Sequence, residues 1–280
     1  MYKLIDGKEV SNHVKTKVRG EVDALKEKGI EPALAVIIVG NDPASRVYVN
    51  NKKKACEFTG MRSVEFAMPE ETTEEELLSV IDKLNADDSI NGILCQLPVP
   101  KHISEKAVIE RISAKKDVDV FSAENVGKMW QGDYDMASCT PMGVIELLDY
   151  YGIDVCGKNC VIIGRSNIVG KPMGMLLLHK NGTITICHSR TKDLKAQTLK
   201  ADILVVAIGK ADFITGDMIK EGAVVIDVGI NVDENGNLYG LEDYSYKYGI
   251  YPVDYIEKVL GIEVIEYSQM EEFDILALDK

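Results

Sequence analysis

The sequence is poor in positive charge relative to negative charge. Its 32 lysines and arginines stand against 45 aspartates and glutamates, which gives a formal net charge of −13 over 280 residues. Nucleic acids bind to basic protein surfaces, so this balance argues against nucleic acid as a general partner. An anionic ligand would have to meet a local cluster of cations instead.

Long apolar runs are also lacking. No run approaches the roughly 20 residues that a membrane-spanning helix needs, and the first ten residues, MYKLIDGKEV, contain no apolar stretch typical of a signal peptide. With 46% hydrophobic residues, the chain can still bury a sizeable core. We therefore expect a soluble, cytoplasmic protein without a membrane partner.

Metal-binding spacings are missing as well. No two of the six cysteines form a C-x-x-C pair, and the four histidines are not spaced as metal ligands. Several of the cysteines lie in apolar runs. Buried free thiols in a reducing compartment are therefore favoured over disulfides or zinc, and no metal is expected.

The sequence does contain an alternation of short apolar strands and amphipathic helices. The first series predicts helices at residues 11–28, from about Tyr48 to Gly60 and at 73–85, with strands at 33–39, 62–68 and 92–96. Such an alternation implies parallel strands that are joined by crossover helices.

A second series follows Thr140-Pro141, which we interpret as the N-cap and first position of a helix that runs to Tyr151. It predicts strands at residues 160–163, 183–187, 203–207 and 224–228, and a helix from about residue 169. This order is typical of a doubly wound nucleotide-binding sheet. The fold class predicted is α/β, with two α/β domains around a cleft, the second a Rossmann-like doubly wound parallel sheet.

The segment YVNNKKK, which begins at Tyr48, opens one of the predicted helices. Residues four apart share a helix face, so Tyr48 and Lys52 are expected to point the same way. A tyrosine above a lysine, with further lysines beside it, suits the activation of a small anionic substrate. By itself the segment fits a solvated basic helix face better than a catalytic site, and only the rest of the sequence reverses that preference.

A predicted strand-to-helix junction carries Gly164, Arg165 and Ser166, followed by Gly170. Backbone amides and a helix N-terminus at such a junction favour an anion, and glycine allows close approach. Ser166 stands where the dinucleotide fingerprint G-x-G-x-x-G has its second glycine, so an ordinary tight turn is an open alternative.

The strand after the first crossover ends at Cys187 and is followed by Ser189 and Arg190. In a dinucleotide fold this position contacts the adenosine ribose, where an acidic residue suits NAD and a cation suits the extra phosphate of NADP. The two residues therefore favour NADP. Two later strands end in glycine, one at Gly209 and one just before Ile230. At both places the backbone could approach the cofactor, and a role of the glycine in packing alone is equally possible.

Eight segments in this order resemble the bifunctional methylenetetrahydrofolate dehydrogenase/methenyltetrahydrofolate cyclohydrolase family, the FolD family. The resemblance extends over about residues 1–232 and is carried by SRVYVNNKKKACEFTGM, GILCQLPVPKHI, KKDVDVFSAENVGK, SCTPMGVIELL, GKNCVIIGRSNIVGKPMG, CHSRT, ADILVVAIGK and GAVVIDVGIN. It implies NADP-dependent oxidation of 5,10-methylene-tetrahydrofolate and hydrolysis of the resulting 5,10-methenyl-tetrahydrofolate to 10-formyl-tetrahydrofolate.

The resemblance also implies residue roles. Lys52 would be the catalytic lysine, Tyr48 would orient the substrate, Gln96 would hydrogen-bond Lys52, and Asp119 would hold the pterin ring. Burial and neighbouring cations such as Lys53 would lower the pKa of Lys52 toward neutrality. The simpler alternatives are a strand-end amide capping the following turn for Gln96 and a turn carboxylate for Asp119.

Domain roles follow from the same resemblance. Residues 1–141 would form a folate-binding catalytic domain, with 256–280 as a candidate completion of it, and residues 142–255 would form the NADP-binding domain. The family is commonly a homodimer, and its chemistry belongs to one-carbon metabolism and purine biosynthesis.

Three positions depart from the family pattern. Val120 replaces the usual glycine of D-V-D-G, and we expect this β-branched residue to exclude a positive φ there. Ser138 replaces a proline, and the glycine-rich loop expected after Tyr251-Pro252-Val253 is absent. Two alternatives to an active bifunctional enzyme therefore stay open, namely an enzyme of the same fold that has lost one activity and a non-catalytic binding subunit.

Overall fold

The computed structural model describes residues 5–210, 213–228, 231–232, 238–239 and 263–266, the last three segments as backbone only. The chain divides into two compact units. One unit contains residues 12–139, and the described part of the other contains residues 5–11 and those from 140 onward. Among the described helices, none combines the length and the hydrophobicity that a membrane crossing requires.

The unit of residues 12–139 is built on a three-stranded parallel sheet with the order β2-β1-β3. Its elements in chain order are α1 (Gly7–Glu27, which begins before this unit), β1 (Ala33–Val39), α2 (Pro43–Thr59), β2 (Arg62–Met68), α3 (Glu74–Ala86), β3 (Gly92–Cys95), α4 (Glu105–Arg111) and α5 (Ala123–Gln131).

The central strand β1 is buried along its whole length. Its even-numbered residues, such as Val36, pack with α2 in one apolar cluster, and its odd-numbered residues, such as Ile37, pack with α3 in another. Side chains alternate between the faces of a strand, so a sheet with helices on both faces needs an uninterrupted apolar run. The sequence ALAVIIV supplies that run.

Local signals fix the ends of the flanking helices. The Asp42 carboxylate accepts a hydrogen bond from the Ser45 amide at 2.7 Å, and Gly60 ends α2 in the left-handed conformation. A capping box starts α3, in which the Thr73 hydroxyl and the Glu76 carboxylate each accept a hydrogen bond from the other residue's backbone amide. These caps fix where α2 and α3 leave the sheet.

The second unit is built on a five-stranded parallel sheet with the order β10-β7-β6-β4-β5. Its elements are α6 (Cys139–Tyr150), β4 (Asn159–Ile163), α7 (Gly170–His179), β5 (Thr183–Cys187), α8 (Leu194–Thr198), β6 (Ile203–Val206), β7 (Val224–Asp227), the short antiparallel pair β8 (Asn231–Val232) and β9 (Leu238–Tyr239), and β10 (Glu263–Glu266).

The five-stranded sheet reverses its winding direction at β4. The chain passes from β4 through α7 to β5 on one side, and then returns to β6 on the other side of β4. In doubly wound sheets the carboxyl ends of the two strands at such a reversal form the ligand crevice. The segments after β4 and β6 therefore lie where a nucleotide site is expected.

Some predicted elements need correction. Helix α6 begins at Cys139, so Thr140 lies inside its first turn and is not its N-cap. Helices α4, α5 and α8 were not predicted, because stretches of five to nine residues are too short to show a helical period. Residues 263–266 pair with β7, so this part of 256–280 extends the second sheet and does not complete the first unit.

All six cysteines are free thiols, as predicted, and five of them are buried. The exception is Cys156, which is exposed. Burial raises the pKa of the Cys56 and Cys160 thiols to about 11 and that of Cys95 to about 12. With pKa values this far above 7, the three thiols are protonated at neutral pH. They are therefore inert, because only the thiolate form reacts readily.

We predict that one thiol per chain reacts rapidly with an aromatic disulfide reagent at pH 8, and that Cys156→Ser removes this fast phase. The count is read from the absorbance of the released thiolate, and it should rise to six in guanidinium chloride. A second fast thiol in the folded protein would contradict the burial described above.

Gly164 provides a test of the packing at the end of β4, because it directly follows that strand and lies close to the backbone of Ala207. A Cβ on Gly164 would lie 2.5 Å from the Ala207 carbonyl oxygen, whereas a Cβ on Gly157, also at positive φ, would meet no atom within 4 Å. We predict that Gly164→Ala lowers the free energy of unfolding by about 2 kcal/mol or more, from overpacking. Gly157→Ala should cost only the backbone term of about 1 kcal/mol. Equal losses in urea denaturation would show that the close approach is not rigid.

Candidate active site

Helix α2 carries a buried stripe that faces the sheet. Ser45, Val49, Cys56 and Thr59 are buried at intervals of four, seven and three residues, as expected for the inner face of an amphipathic helix. Lys52 falls on the same stripe and is only 4% exposed. A lysine in a core position is costly unless it has a function or a compensating partner.

Tyr48 and Lys52 share the helix face that their spacing predicts. The Lys52 Nζ lies 5.7 Å from the centroid of the Tyr48 ring, within the range of a cation–π contact. Lys53 and Lys54 are exposed. The alternative of a solvated basic face therefore fits those two lysines, while Lys52 is buried beside an aromatic ring.

Gln96 lies directly after β3, at the carboxyl end of the sheet. Its backbone amide donates to the Ile37 carbonyl at 2.8 Å, which extends the strand pairing by one residue. Its side-chain Nε2 donates to the Leu97 carbonyl, also at 2.8 Å. This is the turn-capping contact expected of a strand-end amide, and the hydrogen bond from Gln96 to Lys52 stays a prediction.

Asp119 lies near the same end of β3. Burial, followed by the negative charge of Asp119, raises the pKa of the Cys95 thiol. Cys95, Leu97 and Asp119 also line one narrow cavity of about 10 Å³. Asp119 is half-buried, and the pairing of Asp117 with Ile93 places its segment beside the strand end that precedes Gln96.

The residue after Asp119 overturns an expectation. Val120 was expected to exclude a positive φ, but its φ is +58° and its side chain is 1% exposed. A β-branched residue in this region is a genuine conformational outlier. A valine here thus adopts a backbone conformation that favours glycine, at the cost of strain.

The loop between β4 and α7 forms a tight backbone cradle. A Cβ on Gly170 would lie 2.4 Å from the Gly164 carbonyl oxygen, so the helix start packs directly on the strand end. The Ser166 hydroxyl accepts hydrogen bonds from the amides of Val169 and Gly170 at 3.1 and 3.2 Å. Arg165 is exposed beside this cradle.

Ser189 and Arg190 are both exposed in the turn after β5. That turn is ordered by two hydrogen bonds of 2.8 Å between His188 and Thr191. Strands β4 and β5 are neighbours that pair Ile163 with Cys187, so the segments carrying Arg165 and Arg190 leave the same edge of the sheet. Both arginines are thus exposed in segments that leave one edge of the sheet.

Two cofactor-site predictions remain, namely Gly209 and Ile230. Gly209 follows β6, is exposed and has a φ of +55°, which puts a sterically permissive backbone beside the reversal point. Ile230 lies outside the described residues. Whether either residue contacts a cofactor stays a prediction.

Sequence reasoning missed Asp117 and the packing role of Gly170. Asp117 is 4% exposed and its carboxylate accepts three hydrogen bonds, although on sequence it is one of several acidic residues near a turn. The sequence signal that could have identified Asp117 is the alternation of two aspartates, two residues apart, with Val118 and Val120. For Gly170, the signal was a second glycine at the predicted helix start.

Two family models match the chain. The one described as "Tetrahydrofolate dehydrogenase/cyclohydrolase, catalytic domain" matches residues 5–119, and the one described as "Tetrahydrofolate dehydrogenase/cyclohydrolase, NAD(P)-binding domain" matches residues 138–250. Lys52, Gln96 and Asp119 lie in the first match, and the cradle around Gly164 lies in the second.

Curated relatives agree with these matches. A bifunctional protein FolD from Acetivibrio thermocellus is 58% identical over 243 residues, which cover 87% of this chain and 85% of that protein. The bifunctional protein FolD of Agathobacter rectalis is 57% identical over 245 residues, with 88% of each chain covered.

Solved structures give the same result, and with it the family is established. A crystal structure of the bifunctional FolD methylenetetrahydrofolate dehydrogenase/cyclohydrolase from Campylobacter jejuni superposes with a TM-score of 0.89 at 42% identity, covering 99% of this chain and 96% of that one. The Trypanosoma brucei dehydrogenase-cyclohydrolase complexed with NADP and an inhibitor gives 0.85 at 30% identity, covering 98% and 95%. This chain, with a buried lysine on the inner face of helix α2 in one unit and a glycine cradle in the other, belongs to the tetrahydrofolate dehydrogenase/cyclohydrolase family.

Proposed function

We propose that Lys52 is the catalytic residue of a bifunctional enzyme of folate one-carbon metabolism. The protein oxidises 5,10-methylene-tetrahydrofolate to 5,10-methenyl-tetrahydrofolate with NADP, and it hydrolyses the methenyl compound to 10-formyl-tetrahydrofolate. The observation that carries the assignment of Lys52 is its burial in the inner stripe of α2, against the ring of Tyr48.

The hydrolysis is the step that needs a proton-transfer group. Water adds to the carbon of the cationic methenyl bridge, one carbon–nitrogen bond then breaks, and the formyl group is left on the other nitrogen. The overall reaction consumes one water and releases one proton. A lysine amine in its neutral form accepts the proton of the attacking water, and a positioned general base of this kind contributes roughly 10²–10⁴ in rate.

Tyr48, Gln96 and Asp119 orient the substrate around this amine. Tyr48 supports Lys52 from one helical turn away, and the Gln96 and Asp119 side chains lie at the carboxyl end of the neighbouring strand β3. Asp119 suits the ring nitrogens and amino group of a pterin, because a carboxylate accepts two parallel hydrogen bonds. Gln96 retains its side-chain oxygen as an acceptor for Lys52, since Nε2 is already used.

The unit of residues 142–255 is proposed as the NADP-binding domain, and residues 1–141 as the folate-binding domain. The backbone cradle at Gly164 and Gly170 leaves no room for larger residues and suits a pyrophosphate at a helix start. Arg190 and Arg165 are exposed at the same sheet edge and would hold the 2′-phosphate, with Ser189 as a hydroxyl donor. NADP, when bound, supplies the hydride acceptor for the oxidation.

A homodimer, a cytoplasmic location and a contribution to purine biosynthesis complete the proposal. Sequence resemblance supports the dimer, and exposed apolar residues of the nucleotide-binding unit, such as Ile168 and Leu178, offer surface for it. Sedimentation velocity tests the oligomeric state directly, and a single species at the monomer mass would refute the dimer.

We predict that Lys52→Met lowers the rate of methenyl-tetrahydrofolate hydrolysis by at least about 100-fold, because methionine fills the space without a transferable proton. The loss of methenyl absorbance with time measures this rate. Lys53→Met is the matched control, since that lysine is adjacent but exposed, and its rate should stay within about twofold. A normal rate in Lys52→Met would remove the lysine from the mechanism.

We also predict that Arg190→Ala raises the KM for NADP by about 10- to 100-fold, the effect of losing one charge-assisted contact to phosphate. The KM for NAD, which lacks that phosphate, should change less than about threefold. Lys200→Ala removes an exposed cation elsewhere on the same unit and serves as the control. Equal weakening of both cofactors by Arg190→Ala would show that this residue does not contact the 2′-phosphate.

A further inference from the structure

The segment that leads to Asp119 is fixed along the outer edge of β3. The Ile93 amide donates to the Lys116 carbonyl at 2.7 Å, and the backbone of Asp117 pairs in parallel with Ile93. The Lys116 ammonium donates to the carbonyls of Leu84 and Asp87 at 2.9 and 2.7 Å. The chain therefore enters the Asp119 turn from a rigid start.

Asp117 binds the far side of the same turn. Its buried carboxylate accepts hydrogen bonds from the Phe121 amide at 3.3 Å, the Ser122 amide at 2.9 Å and the Asn125 Nδ2 at 3.2 Å. Asn125 is in turn held by the Ala114 carbonyl at 2.8 Å. One carboxylate thus closes a loop over five residues and connects it to the start of α5.

The closed loop contains the strained residue Val120. Its left-handed backbone conformation is unfavourable for a β-branched residue. Such conformations persist only where contacts with the surrounding structure enforce them. The amides that Asp117 binds belong to the two residues directly after Val120. These hydrogen bonds are therefore the contacts that oppose relaxation of Val120 to a negative φ.

Asp119 is held between these two constraints. On its amino side the Val118 carbonyl accepts a hydrogen bond from the Cys139 thiol at 3.4 Å, and on its carboxyl side lies the left-handed Val120. A change of about 120° in φ at residue 120, from the left-handed to the right-handed region, would rotate the peptide groups around Asp119. Its carboxylate would then leave the position beside Cys95.

We propose that Asp117 is a positioning residue for the folate site: its buried carboxylate holds Val120 in the left-handed conformation and so fixes the direction of the Asp119 carboxylate. The proposal rests on the folate-binding role assigned to Asp119 above. It gives the first aspartate of the D-V-D segment a part in substrate binding without contact with the substrate. It also explains how a valine occupies a turn that favours glycine.

A purely structural role is the competing explanation. In that case Asp117 would only cap the start of α5, and its loss would lower stability without a selective effect on folate. The two explanations differ in their dependence on residue 120. Glycine adopts a positive φ without strain, so in a Val120→Gly variant the turn no longer needs Asp117 to keep its shape.

The test compares Asp117→Asn in two backgrounds, the wild-type chain and the Val120→Gly variant. Steady-state kinetics of the full-length enzyme are measured for each variant. The temperature is one at which circular dichroism shows that all variants are folded. Asparagine keeps the size but turns an amide group toward the N–H donors. We expect Asp117→Asn to raise the KM for methylene-tetrahydrofolate about tenfold in the wild-type background, with the KM for NADP within about twofold. In the Val120→Gly background the same substitution should raise the folate KM less than about threefold.

Two outcomes overturn the proposal: a tenfold increase in both backgrounds, or a lower melting temperature with an unchanged folate KM. If Asp117→Asn does not fold, Asn125→Ala removes one of the three donors and is compared in the same two backgrounds, with an expected increase of about threefold in the first and none in the second. Equal increases in both backgrounds again overturn it.

Two further variants complete the design. Asp154→Asn is the matched control, because that exposed carboxylate also accepts from a nearby backbone amide, that of Cys156 at 2.9 Å, and its folate KM should not change. Asp119→Asn tests the underlying assignment separately. An unchanged folate KM in Asp119→Asn would refute the role of Asp119 itself, and this inference with it, whereas a raised KM leaves the Asp117 comparison decisive.

Discussion

The parallel arrangement of strands is the constraint on which both units depend. Parallel strands require crossover connections, so every strand of a sheet ends at the same edge, and the segments that leave this edge lie close together. In the first unit that edge carries Gln96, with Asp119 close by. In the second it carries the Gly164 cradle and the turn with Arg190. Within each unit, residues far apart in the sequence are thereby brought to the same sheet edge without long loops.

The burial of Lys52 is the most unusual feature of helix α2. An ammonium in the inner stripe of an amphipathic helix opposes the hydrophobic driving force that orients the helix. Helix α2 tolerates it because Val49, Ala55 and Cys56 on the same side pack against the sheet, and because Tyr48 places an aromatic face next to the charge. The protein thus sacrifices some packing free energy to hold one titratable group out of water, which is the environment that the proposed catalytic role of Lys52 requires.

The features that could be predicted from the sequence are those that depend on interactions between residues close together in the chain. The strands Ala33–Val39, Arg62–Met68 and Thr183–Cys187 were predicted with the observed bounds, because apolar runs or alternation between turn residues are local signals. The pairing of Tyr48 with Lys52 was predictable because it needs only the helical period. Lys53 is exposed although its neighbour Lys52 is buried, since each residue on a helix is rotated by about 100° from the last. Neighbours in sequence are therefore not neighbours on a face.

Val120 shows what a local rule cannot predict. Sequence reasoning correctly states that valine disfavours a positive φ, but the conformation is decided by contacts that the rule does not contain: three hydrogen bonds to Asp117, strand-edge pairing at Ile93 and a thiol from Cys139. Such strain, of order 1–3 kcal/mol, is small beside the total of those contacts, so the turn survives the loss of its glycine. The same reasoning explains why a change from glycine at this position does not by itself indicate a lost activity. Where the surrounding contacts define the turn, the side chain at residue 120 changes the free-energy cost of the conformation. It does not change the shape of the turn or the direction of Asp119.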